Sequence, residues 1–132
     1  MSIRASAIVL LVAASMSLAA RVDIGVDSIL EGRYPHYSPG DSLLPRANWR
    51  NYGDTTTGFT AWFIILDPSG SRSYCVSQYV PNLAPDSIFA PVFPKYELSR
   101  AGTWTLFCST YVGGDLNPSN DTLSREIGAY WG

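Results

Sequence analysis

Seven short runs of alternating side chains, set apart by turn formers at fairly even spacing, confine this chain to an all-β fold. The first run spans residues 22–30, where Val22, Ile24 and Val26 alternate with Asp23, Gly25 and Asp27. The next lies over 42–52, with Leu43, Ala47 and Trp49 on one parity, and Gly53-Asp54 closes it as a turn. Further runs cover 59–66, 73–80 and 87–93, and the longest clean alternation covers 103–112. The seventh occupies 122–129. Past residue 21 no window shows the 3.6-residue period of an amphipathic helix. Pro45 and Pro91 cannot donate a ladder hydrogen bond, which places them at edges or bulges. Seven such strands predict an antiparallel two-sheet sandwich, with a closed barrel as the runner-up.

A chain of 132 residues has room for one domain of ordinary size. Apolar residues make up 46% of it, enough for a packed core. Nine Lys and Arg against eleven Asp and Glu give no basic footprint for nucleic acid.

The first twenty residues read as a leader and not as part of the fold. Arg4 supplies the positive start, residues 5–14 form an apolar run broken by Ser6, and Ser17-Leu18-Ala19 offers small residues where a signal peptidase reads. That run is too short for a membrane span of ~20 residues. The expected organisation is a signal peptide over 1–20 and one domain over 21–132, secreted or at the cell surface, with no stable membrane insertion after cleavage.

Residues 22–128 resemble the bacterial CARDB-type domain, an immunoglobulin-like module related to cell-adhesion proteins. The resemblance rests on Asp23-Ile24-Gly25-Val26 at the start and Asn51-Tyr52-Gly53-Asp54 after the second strand. It continues through residues 80–87 between strands four and five, Ala101-Gly102-Thr103-Trp104, and the polar turn at 114–121. It implies a seven-stranded immunoglobulin-like sandwich, close to the fibronectin III arrangement, without catalytic function. It also implies a role in tandem surface proteins, whereas this sequence carries a single module.

No catalytic constellation stands out. His36 is the sole histidine and falls in the loop-forming stretch Tyr34-Pro35-His36-Tyr37, too few ligands for a zinc site or a triad. There is neither a Gly-x-Ser-x-Gly elbow nor a phosphate-binding glycine loop. The expectation is no enzyme, no cofactor and no metal site. Residues 115–121 hold the one cluster of oxygen ligands, of a kind calcium takes, although Asn and Asp also populate such turns for backbone reasons. Asn120-Asp121-Thr122 is a formal N-glycosylation sequon at Asn120.

Cys75 and Cys108 are the two cysteines, and an oxidising compartment permits a disulfide between them. It would close a loop of about 34 residues and contribute roughly 3.5–4 kcal/mol. Parity opposes it: Cys108 shares a face with Trp104 and Leu106, whereas Cys75 shares one with Ser73 and Ser77. Two buried thiols are the alternative.

The third run is apolar on both faces, with Phe59, Ala61, Phe63 and Ile65 on one and Trp62, Ile64 and Leu66 on the other. A sandwich has one interior, so the second set needs other cover. In the 103–112 run, Trp104, Leu106 and Cys108 point inward and leave Phe107 and Tyr111 outside. Trp62, Ile64, Leu66, Phe107 and Tyr111 therefore form a candidate interface, unless the Tyr- and Pro-rich segment 31–41 folds over them. The function expected is an extracellular structural or adhesion module that contacts protein, either its own copies in a filament or sheath or another surface protein. A carbohydrate-binding module with Trp49, Trp62 or Trp131 as stacking platform is the alternative.

Overall fold

In the computed structural model, residues 20–30, 37–112 and 121–131 are described, and every regular element among them is a strand. In chain order these are β1 (Ile24–Ile29), β2 (Ser42–Leu43), β3 (Ala47–Asn51), β4 (Thr57–Leu66) and β5 (Arg72–Leu83). They are followed by β6 (Ile88–Phe89), β7 (Tyr96–Glu97), β8 (Gly102–Tyr111) and β9 (Thr122–Ala129). One sheet has the order β1-β3-β6, the facing sheet the order β5-β4-β8-β9, and β2 pairs with β7 as a small ribbon. All pairings between strands are antiparallel. The fold is the expected immunoglobulin-like sandwich, and among the described residues no barrel closes.

The period-two pattern dictates which residues fill the space between the sheets. On β4, Phe59, Ala61, Phe63 and Ile65 are buried, and on β8, Trp104, Leu106 and Cys108. On the facing sheet Ile24, Val26, Ala47 and Trp49 meet them. A bulge between Val26 and Ser28 adds one residue to β1, which returns Ile29 to the inside despite its odd parity. Each large side chain so removed from water contributes roughly 1.5–3 kcal/mol. Aromatic rings link edge to face along the sandwich: Trp49 lies 5.9 Å from Phe93, and Phe93 lies 5.7 Å from Phe63. Phe63 meets Tyr74 at 6.3 Å, Tyr74 meets Tyr96 at 5.3 Å, and Tyr96 meets Trp104 at 6.0 Å. Buried indoles need acceptors, and both find them. Trp49 donates across the sandwich to the Ser109 carbonyl at 3.2 Å, and Trp104 donates to the Arg100 carbonyl at 3.0 Å.

Two details differ from the seven expected strands. The second run splits at Pro45, whose carbonyl instead accepts from the Phe93 amide at 3.0 Å, so that β2 and β3 serve different partners. The two-residue β7 had no alternation to announce it.

The motif Asn51-Tyr52-Gly53-Asp54 anchors the entry of the chain. The Tyr52 amide donates to the Asp23 carbonyl at 2.7 Å, and the Arg21 amide donates to the Asp54 carboxylate at 2.6 Å. Gly53 lies so close under the Arg21 carbonyl that a Cβ there would sit 2.2 Å from its oxygen. At the other end of β4, Asp67 accepts from the Ser69 hydroxyl and from the Ser69 and Ser71 amides, an Asx turn.

Candidate functional site

Because β4 is internal to its sheet, both of its faces must be covered or presented, and its second face is the one turned away from the core. The registers place β5, β4, β8 and β9 side chains in rows on that face. Cys75, Ile64, Phe107 and Ser124 form one row. Ser77, Trp62, Ser109 and Thr122 form the next, and Tyr79, Thr60 and Tyr111 the third. No Lys, Arg, Asp or Glu stands in these three rows. Charge enters at the Leu66 end, where Leu66 and Thr105 precede Glu126 and Arg72.

All five residues expected at the interface, Trp62, Ile64, Leu66, Phe107 and Tyr111, lie on this face. They differ in what they present. Tyr111 is 74% exposed, and Trp62, Leu66 and Phe107 are half-buried. Ile64 is only 8% exposed, flanked by Trp62 and Leu66 along its strand and by Cys75 and Phe107 across it. It is the floor of the patch, and its neighbours carry the accessible surface. Sequence reading missed Tyr79, which is 65% exposed beside Thr60 and extends the aromatic end of the face. Its shared parity with Cys75 and Ser77 was the available signal.

The expected disulfide between Cys75 and Cys108 does not form, and both cysteines are free thiols. Cys75 pairs with Ile64 on the outward face, while Cys108 pairs with Phe63 in the core. With β4 between them, their Cα atoms stand about 9–10 Å apart, beyond disulfide reach, and their side chains leave opposite faces. Burial pushes the Cys108 thiol well above its ordinary range. Trp49 is likewise withdrawn as a sugar platform, because it is fully buried. Trp131 is 76% exposed.

His36, the oxygen-rich turn at 115–121 up to its last residue, and the Asn120 sequon lie outside the described residues, as does the leader up to residue 19. Among the described residues no group of three or more His, Cys, Asp or Glu side chains is placed to hold a metal ion. Burial and the hydrogen bond to the Pro94 carbonyl hold Tyr74, whose hydroxyl is pushed up to about 12 by desolvation, in its neutral donor form.

No family model matches the chain, and no curated protein matches it in sequence. Solved structures do match. The CARDB domain of a Pyrococcus furiosus protein, solved with two metal ions, is 12% identical with a TM-score of 0.59. The match covers 86% of this chain and 94% of that one. A domain of a candidate cell-surface protein from Methanosarcina acetivorans is 20% identical with a TM-score of 0.62, covering 85% and 95%. The fold is that of a CARDB domain. Part of a β-glucosidase from Erythrobacter marinus also matches, at 17% identity and a TM-score of 0.58. There the match covers 82% of this chain and only 15% of the enzyme.

Proposed function

We propose that this CARDB-like domain is a non-catalytic extracellular module that makes protein–protein contacts through the outward face of β5-β4-β8-β9. The role is that of a structural surface subunit or an adhesion domain, with self-association into a filament or sheath as a close variant. One observation carries the reading: three contiguous rows of that face hold Trp62, Phe107, Tyr79 and Tyr111 and no charge. Apolar surface rimmed by Ser and Thr on a small domain marks a contact site. The surface location is supported by the similarity to a candidate cell-surface domain.

Carbohydrate binding is the second reading. The half-buried Trp62 between the hydroxyl side chains of Ser77 and Ser109 favours it, as does the match of the fold to a small part of a β-glucosidase. The test is Phe107→Lys, since a charge at a packed interface carries a desolvation cost. Light scattering after size exclusion should show lost assembly or lost partner capture, with an unchanged thermal melt. A variant that keeps both the parent's assembly and its partner capture overturns the reading. A parent that stays monomeric and is retained on polysaccharide supports the second.

A further inference from the structure

Sheet edges offer unpaired amides and carbonyls, and proteins blunt them with charges, bulges, short strands or covering segments. Among the described residues, three of the four outer edges of the two main sheets are treated so. Along β9 stand Arg125 and Glu126, and Tyr37 caps its end, its amide donating to the Gly128 carbonyl at 2.8 Å. Asp27 and a bulge interrupt β1. Two residues make up the whole of β6.

The β5 edge has none of these devices over its centre. Its ladder to β4 runs without a register shift from Tyr74 to Val80, between irregularities at either end. No charged side chain occurs in that stretch, and among the described residues nothing pairs with its free side. We propose that this edge pairs antiparallel with the same edge of a second copy, with Ser77 opposite Ser77 on the two-fold axis. This deepens the self-associating form of the proposed function and rests on it.

The strand is its own complement. The register that overlaps all seven residues sets Cys75 against Tyr79, Val76 against Gln78 and Tyr74 against Val80. Inward residues then meet inward residues, outward ones meet outward ones, and no like charges oppose each other. Such a contact joins two four-stranded sheets into one of eight strands and makes the three charge-free rows of the outward face continuous across both copies. The contact is isologous and closes at a dimer, which is the unit that the outward face would then join into larger assemblies.

The experiment replaces Cys75 by Ser and introduces a single cysteine at Ser77 or, as control, at Ser109, which flanks Trp62 on its other side. Opposed residues of an antiparallel pair stand ~4.5–5.5 Å apart at Cα, within disulfide range. Oxidation of the full-length protein with diamide should give a covalent dimer at position 77 and none at 109. In parallel, Ser77→Lys should shift the light-scattering mass from dimer to monomer, and an equal mixture with Ser77→Glu should restore the dimer. A cross-link at 109 alone, or equally at both positions, overturns the edge pairing while leaving contact through the face standing. A parent that is monomeric at its highest soluble concentration also overturns it. Phe107→Lys, two strands from the edge, should keep the cross-link at 77 even where it loses partner capture, so the two readings can fail separately.

Discussion

The Asn51 side chain donates to the Leu83 carbonyl at 2.8 Å, tying the end of β3 to the end of β5 across the core. The same amide donates to the Thr55 carbonyl at 2.8 Å, and its oxygen accepts from the Gly53 amide at 2.9 Å. A fully buried amide with all of these partners fixes the 51–57 turn against the opposite sheet. Asn51→Ala leaves the buried Leu83 carbonyl and the part-buried Gly53 amide without this partner, while the Thr55 carbonyl keeps the Thr57 hydroxyl, so urea unfolding should show a loss of about 2–3 kcal/mol. Asn51→Asp should fail to rescue it, because it lacks both donors. A loss below about 1 kcal/mol would mean that water replaces the network.

The cysteines should behave differently toward alkylation without reductant. Cys75 is exposed and Cys108 is buried with its thiol pushed up by desolvation. The native protein should take one label and the denatured protein two. A denatured chain taking none would restore the disulfide and require a different register for β5.

Gly102 has φ +133°, and a Cβ added there would lie 2.7 Å from the Pro68 side chain. Gly70 has φ +86° but open space around it. Gly102→Ala therefore meets strain and a clash, and should cost about 2–3 kcal/mol in a melt, against about 1 for Gly70→Ala. Equal costs would show that the turn yields around Pro68.

The Asx turn makes the β4–β5 hairpin acid-sensitive. The Ser69 hydroxyl bonded to Asp67, followed by the Ser71 and Ser69 amides, holds its carboxyl below the ordinary 3.8. A lowered folded value gives stabilisation that is complete above the unfolded value and disappears as pH falls through the folded one. The melting-temperature difference between the parent and Asp67→Asn should thus be largest near neutrality and shrink below pH ~4. A difference that is flat with pH would remove Asp67 from the account.

How much of this was legible in the sequence depends on how local each cause is. The inward set on β8 and the two-sided β4 follow from alternation alone, because a strand's faces are set by parity. The patch residues on β4 and β8 could be grouped for the same reason. What parity does not carry is a partner chosen far along the chain. The bulge that turns Ile29 inward, the ribbon of β2 with β7 and the burial of Trp49 under Phe93 all depend on residues tens of positions away. Asn51 was readable as part of a turn, yet its bond to Leu83 required knowing that β5 ends beside it. The parity objection to the disulfide was sound, because nothing in the register of β5 reverses the faces of Cys75.

The path of the strands has a mechanical consequence. β1 begins beside Asn51, at the end where β4 starts and where Thr60 meets Tyr111. The last strand finishes at Ala129 opposite Gly102, at the far end. Tension between Ala20 and Trp131 therefore runs lengthwise through the sandwich. It loads the β1–β3 and β8–β9 ladders in shear, with many hydrogen bonds sharing the force at once, rather than peeling them one by one. The Arg21–Asp54 clamp and the Gly53 contact would be the first to feel the pull, and their release would not by itself unravel the sheet behind them.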